Sequence, residues 1–492
     1  MRAKPFRVFA LFAIAALLFG ACGSPTTSNA PAASGAASGA ASGGASAAPT
    51  TTIVGGTAAP GQVDIRWFCC LGGGDAPEQV AAEKKVVDAF NASHQNIHLT
   101  FEAVPYAGAN DALSTQIGSG SGPDIVGPVG IGGANAFHGQ WLDLAPLIQK
   151  TNYDLSGFPP DAVEIYKLDE GQVGIPFAIY PSALFYKKGL FEEGGLKEPP
   201  HKYGDKYELD GAQVDWNYDT AREVAKRLTV DKNGKDATQD GFDPANIVQW
   251  GFEPQRDDMR GLGAYWGAGS LAASDGKTAQ IPDDWKTAWK WWYDGMWKDH
   301  FSMTGPIFES DDINPKDYPF FTGKVAMSEN FLWSTYGVGD AGDDWDLAAI
   351  PANGSKATAA FNADTFRILK GTKHPDEAFE VLTYLLGDAS EELLTAYGGF
   401  PARIADQAKG VEALQSQFTN KVDWQVAIDG IEHADNPNFE AYMPAYNETL
   451  GLIGSGGKYT TKWQSSQGLD MDAEFNALKQ EIQSIWDKAG GG

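Results

Sequence analysis

Metal binding, nucleophilic attack and proton transfer each need particular side chains at particular spacings, and this chain offers few candidates. Asp231-Lys232-Asn233-Gly234-Lys235-Asp236 has the oxygen donors and glycine of a calcium loop. An EF-hand, however, sets its glycine at the sixth position and closes with glutamate at the twelfth. A tight turn is the expectation there. Gly276-Lys277-Thr278 is similar to the end of a phosphate loop, but Leu271 stands where the first glycine belongs. His94 and His98 lack the glutamate of H-E-x-x-H, and no G-x-S-x-G elbow occurs. Asp257 and Asp258 are adjacent carboxylates, and neighbours in sequence seldom straddle one glycosidic bond. No catalytic residue, metal or cofactor is expected.

Aromatic residues are the other chemical resource: 12% of the chain, with 15 tryptophans. Trp289, Trp291, Trp292 and Trp297 share one helical stretch and are expected in the core or covering its surface. The formal net charge is −27 over 492 residues. That balance excludes nucleic acid, which needs clustered Lys and Arg, and disfavours an anionic membrane surface. A chain of this length divides into more than one lobe, since single cores stop growing near roughly 250–300 residues.

The elements that must position any site begin at Asp64. Ile65–Phe68 reads as a strand, Ala81–Phe90 as an amphipathic helix, and Ile97–Phe101 as a strand with period-two alternation. A helix through Leu113–Ile117 stops at Gly118–Gly122, before a strand at Pro123–Val126. Alternating strands and helices imply parallel βαβ units and an α/β fold. Ligands in such sheets sit beyond the carboxyl ends of the strands, which points to the loops Cys69–Asp75 and Gly127–Gly132. Further helices are expected over Thr220–Leu228, Trp285–Trp297, Pro375–Leu386 and Ala473–Ala489.

Ahead of this body, Arg2, Lys4 and Arg7 precede an apolar run from Val8 to Ala21, too short for a permanent span. The run ends in Leu18-Phe19-Gly20-Ala21-Cys22, which resembles a bacterial lipobox. The resemblance implies cleavage before Cys22 and acylation of its thiol. Gly23–Val63 carries no charge and is rich in Ala, Gly, Ser and Thr, as a flexible tether would be. Cys69 and Cys70 are expected as ordinary strand residues, because a ring closed by adjacent cysteines is strained.

Several stretches, taken in order, resemble the family of extracellular solute-binding proteins that includes maltose-binding protein. They are Phe90-Asn91 with Ile97–Phe101, Gly122-Pro123-Asp124-Ile125, Trp141–Leu144, Gly174–Phe177, Leu184–Phe191, Phe321–Met327 and Lys373–Phe379. The resemblance implies a two-lobed fold of the type II periplasmic-binding-protein kind with three hinge crossings. Crossings are expected near Pro176–Tyr180, near Phe361–Asp364 and after Arg403. The implied layout is a signal peptide over 1–21, an anchored linker over 22–61, one lobe from 62–178 with 362–405, and a second from 179–361 with 406–489. It further implies a monomeric, extracytoplasmic receptor, tethered by its lipid, that delivers a sugar to the permease of an ATP-driven importer. A receptor for a peptide or polyamine, or a secreted carbohydrate-active enzyme, are the alternatives.

Sugars present apolar CH faces ringed by hydroxyls, so aromatic plates and charged or amide hydrogen-bonding groups suit them. Matching to the family pattern nominates Tyr180 at the first crossing, Arg256, Asp257 and Asp258 in a second-lobe loop, and Trp266 beyond it. Asn330 and Trp333 follow the strand Val325–Met327, with Trp333 at the family's stacking position. Asp364 at the second crossing, Arg403, Tyr442 and Tyr446 complete the set.

Overall fold

The computed structural model describes residues 51–254, 259–310, 313, 319–335, 344–435 and 443–490. One compact unit runs from Pro49 to Gly492, and residues 1–50, including Cys22, lie outside the described part.

The chain enters through β1 (Thr52–Val54) and continues into β2 (Val63–Cys69), α1 (Pro77–Ser93) and β3 (Ile97–Ala103). α1 begins at a proline, which needs no hydrogen-bond acceptor in a first turn. The Gln79 amide oxygen takes the N–H groups of Gly74 and Ala76 just ahead of it, at 2.9 and 3.3 Å. Ala82, Val86, Val87 and Phe90 form the buried face of α1, at the spacing one helical side requires. Their burial draws β2 and β3 into parallel register, from Val63↔Ile97 to Cys69↔Ala103. α2 (Tyr106–Gly118) then returns the chain to β4 (Ile125–Val129), on the other side of β2. Crossovers that diverge to either side of β2 open a crevice at its carboxyl end. The short α3 (Ile131–Asn135) follows β4 directly.

Among the described residues eleven strands share one sheet. Its centre is β5 (Ala178–Tyr186), nine residues that are all buried, as a strand covered on both faces must be. Beyond it come α4 (Tyr218–Arg227), β6 (Val230–Asp231), β7 (Ile247–Phe252), α5 (Asp283–Trp297), β8 (Val325–Phe331) and β9 (Asp346–Ala348). β10 (Phe361–Ile368) is followed by α6 (Pro375–Leu385), α7 (Ser390–Tyr397), β11 (Phe400–Pro401) and α8 (Ile404–Gln415). The chain closes with α9 (Tyr446–Ile453) and α10 (Met471–Ala489).

β5 and β10 join the two halves of the sheet. Ala178–Pro181 pairs with Asp364–Phe361, antiparallel, while the rest of β10 pairs with β4 and the rest of β5 with β8 and β9. The segments expected as the first two crossings are therefore bound to one another. After Arg403 the chain passes through α8 to Asp423, whose N–H donates to the carboxylate of Asp346, the first residue of β9, at 2.7 Å.

Trp285, Trp289, Trp291 and Trp292 are buried in the second half, Trp291 against Tyr218, Phe252 and Phe301 and Trp289 edge-on to Trp463. The Asp231 turn is held by its own carboxylate, which accepts the N–H groups of Asn233, Lys235 and Asp243 at 2.7, 3.0 and 2.9 Å.

Two expectations change. The stretch read as tether up to residue 61 already contains ordered sheet: β1 pairs with the outer edge of β3, Thr52↔Ala103 to Val54↔Phe101. An uncharged Thr-Ile-Val run has the right composition to cover an open edge. Cys69 and Cys70 are bonded to each other, across a cis peptide that brings their Cα atoms to 3.1 Å.

Starting the chain at residue 62 removes β1 and bares the edge of β3. A lower thermal midpoint than that of a chain starting at residue 50 is expected, by several degrees in calorimetry. Equal midpoints would return residues 50–61 to the tether.

Candidate binding cleft

The crevice at the carboxyl end of β2 opens into a cavity of about 690 Å³. Leu71, Gly72 and Gly73 from the loop after β2 form one wall, together with Gly130–Gly133 from the turn after β4. Tyr180, Asn362 and Asp364 on the paired β5 and β10 form the floor, and Trp333, Tyr446 and Leu450 face them from the other half.

Glycine is required where backbone approaches closely. A Cβ on Gly72 would lie 3.2 Å from the Pro128 carbonyl oxygen, and one on Gly133 would lie 2.6 Å from that of Leu71. Gly74 adopts φ +119°, and a Cβ there would collide with Cys69 Sγ and approach Glu83. The two loops therefore close onto Asp364 only because both are glycine-rich.

The aromatic plates are fixed in different ways. Trp333 sits in a 3-10 turn over residues 332–335, immediately after β8. It stacks one face on Phe331, with centroids 4.1 Å apart and planes 18° apart, and meets Tyr180 edge-on at 5.3 Å. Asn330 sits behind this turn, donating to Ser328 Oγ at 2.9 Å and accepting from Ser334 Oγ at 3.1 Å. Tyr106 opens α2 at the cleft mouth, its N–H donated to Asp75 at 2.9 Å and its side chain largely exposed. The Tyr446 hydroxyl reaches the opposite wall beside Gly132.

Electrostatically the cleft is dominated by two acids, the half-buried Asp364 on its floor and the buried Glu83 behind its wall. Burial pushes the Asp364 carboxyl up to about 7. Behind the wall, Glu83 accepts a 2.6 Å hydrogen bond from the Tyr397 hydroxyl. Burial lifts Glu83 to about 8, with that bond opposing and Asp75 reinforcing the rise. The Tyr180 and Tyr397 phenols are held well above their ordinary value, first by burial and then by Asp364 and Glu83. They remain O–H donors at any physiological pH.

Tyr180, Trp333, Asp364 and Tyr446, nominated from sequence, line this one cavity. Three other nominees do not. Trp266 is buried and stacked on Tyr218 at 3.5 Å, so it packs the second half of the molecule. Asn330 braces the Trp333 turn. Arg403 lays its guanidinium over Phe158 at 4.6 Å and donates to the Tyr153 hydroxyl at 2.8 Å, which ties α8 to the first half. Arg256, Asp257, Asp258 and Tyr442 lie outside the described residues.

Sequence reasoning missed Tyr106, Asn362 and Tyr397. Tyr106 follows the carboxyl end of β3, so the rule that drew attention to the loops after β2 and β4 would have found it. Tyr397 lies in an ordinary-looking helix and gave no local signal.

Two other features are less suited to a ligand. A concavity of about 510 Å³ between α1 and α7 is lined by Glu78, Lys85, Glu391 and Glu392, without an aromatic plate. His138, Asp169 and Glu170 bring metal-ligand atoms within 4.8 Å of one another. His138 Nε2 pairs with Asp169 at 2.7 Å and Glu170 accepts the Trp141 N–H at 2.9 Å, so the trio closes as an ion-pair network.

A carboxyl whose folded value lies above its ordinary 4.5 binds its proton more tightly when folded. Its stabilising effect is complete at low pH and is lost as pH rises through about 8. Glu83→Gln keeps an acceptor for Tyr397 and removes this titration. Thermal midpoints measured from pH 6 to 9 should therefore fall less steeply in E83Q than in the parent. Parallel slopes would mean that Glu83 ionises normally.

A family profile described as bacterial extracellular solute-binding protein matches residues 73–392. The chain is 25% identical over 383 residues to the lactose-binding protein of Rhizobium radiobacter, covering 72% of this chain and 81% of that relative. Its fold is similar to the sugar-binding protein MalE from Xanthomonas citri, with TM-score 0.63 and 14% identity, over 87% of this chain and 98% of that one. The ABC substrate-binding protein Lmo0181 from Listeria monocytogenes, in complex with cycloalternan, gives TM-score 0.62 and 16% identity over 87% and 99%. These structures assign the architecture to the two-lobed α/β class of substrate-binding proteins.

Proposed function

Because the chain belongs to the bacterial extracellular solute-binding protein family, we propose that its cleft captures a saccharide and delivers it to the permease of an ATP-driven importer. The observation that carries this reading is the cavity itself. The aromatic side chains Trp333 and Tyr446 line it opposite a floor of hydrogen-bonding groups, Tyr180, Asn362 and Asp364, on β5 and β10. A sugar's CH face packs on an aromatic plate while its hydroxyls meet Asp364, Asn362 and the tyrosine O–H groups. The names of its relatives agree: one binds lactose, one neighbour is a sugar-binding protein and another holds cycloalternan.

Delivery requires the ligand to be enclosed and later released unchanged. Hinge closure about the paired segments Ala178–Pro181 and Phe361–Asp364 would bring Trp333 and Tyr446 toward the glycine loops. Among the described residues Asp364 is the one carboxylate lining the cleft, an arrangement suited to retaining a sugar. The receptor acts outside the cytoplasm as a monomer, held near its permease by a lipid on Cys22 and the uncharged segment that follows.

Trp333→Ala should weaken saccharide binding by about 1–3 kcal/mol, the scale of a lost aromatic contact, with an unchanged circular-dichroism spectrum. Titration calorimetry against a disaccharide panel measures it, and an unaltered affinity would remove Trp333 from the contact. Cys22→Ser should move the protein from the membrane pellet to the supernatant on cell fractionation. Retention in the pellet would contradict acylation at that residue.

A further inference from the structure

Asp364 stands apart from every other group in the cleft. Among the described residues it is the one lining side chain with a formal charge. Its backbone is fixed: it pairs with Ala178, and its carbonyl oxygen accepts the Phe177 N–H at 3.2 Å. Its carboxylate oxygens instead lie against glycines. Oδ2 is 3.4 Å from where a Cβ of Gly72 would be, and Oδ1 is 3.0 Å from that of Gly130. Among the described residues, the arginines on β10 and at the start of α8 face other side chains. Arg403 is held by Tyr153 and Phe158, and the Arg367 guanidinium lies over the rings of Trp141 and Tyr166, 5.4 Å from each.

An isolated carboxylate at the floor of an aromatic cavity is costly to keep charged unless something positive reaches it. The lift of its carboxyl to about 7 by burial is the same cost seen as titration. A neutral hydroxyl would hydrogen-bond Asp364 in either protonation state, whereas a cation alone would offset the cost of keeping it charged. An ammonium would form a charge-assisted bond and also gain from the faces of Tyr180, Trp333 and Tyr446. A uronate or sugar phosphate would meet a like charge.

Resting on the saccharide reading above, we infer that the ligand is an amino sugar whose free ammonium docks on Asp364, between the Gly72 and Gly130 loops. The glycines leave the carboxylate open from the first lobe, and the aromatic rings close around it from the second.

The test is titration calorimetry at neutral pH with gluco- and galacto-configured disaccharides, each as the neutral sugar, the 2-amino sugar and the uronic acid. Tighter binding of an amino form than of its neutral counterpart, by tenfold or more, with no detectable uronate binding, is expected. In Asp364→Asn the amino and neutral forms should bind within about twofold of each other, since the amide keeps hydrogen bonding but loses the charge. The comparison in the unmodified protein stands even if D364N fails to fold. Neutral disaccharides binding as tightly as amino ones would overturn the inference and leave the saccharide reading intact. No binding by any saccharide, with or without binding of a linear polyamine, would overturn both.

Discussion

The pairing of Ala178–Pro181 with Phe361–Asp364 is the constraint from which the cleft follows. Because β5 and β10 each belong to both halves of the sheet, the halves meet along a short, hydrogen-bonded seam rather than through a loose linker. Side chains projecting from that seam have a fixed position relative to both. Tyr180, Asn362 and Asp364 are therefore the natural floor of any cavity between the halves, whatever the surrounding loops do. Ala178–Pro181 is buried, while Asn362 and Asp364 are half-buried and line the cavity with polar groups, at an energetic cost that a function must justify.

The walls follow from topology on one side and from packing on the other. On the first side, divergent crossovers around β2 bring two loop ends together, and glycine lets their backbones come within contact of each other and of Asp364. On the second, the stacked pair Phe331–Trp333 turns a strand end into a rigid plate, braced by the Ser328–Asn330–Ser334 hydrogen bonds. A plate already packed on one face loses little conformational freedom when a ligand covers the other. The Glu83–Tyr397 bond adds a buried strut behind the first wall, beneath the Cys69–Cys70 disulfide and Gly74.

Much of the framework was legible because it rests on local periodicity. The two-fold alternation of β3 and the apolar face of α1 fix the first parallel pair, and the carboxyl-end rule then finds both glycine loops. The readings that failed depended on partners distant in sequence. Trp266 stands among glycines and looks like a loop residue, but Tyr218, at the start of a helix, takes up its face. Arg403 looks like a free charge near a crossing, yet Tyr153 and Phe158 occupy it. Thr52–Val54 looks like the end of a linker until the bare edge of β3 is in place to receive it. Ring strain argued against a bond between the adjacent Cys69 and Cys70, yet the two are joined across a cis peptide.

A crystal structure of the protein grown with its tightest-binding disaccharide tests this arrangement most directly. The sugar should lie against Trp333 with a polar group on Asp364, enclosed by the Gly72 and Gly130 loops, and each half should keep its internal geometry. A sugar bound elsewhere, such as the acidic groove between α1 and α7, with the Asp364 cavity holding only solvent, would contradict it.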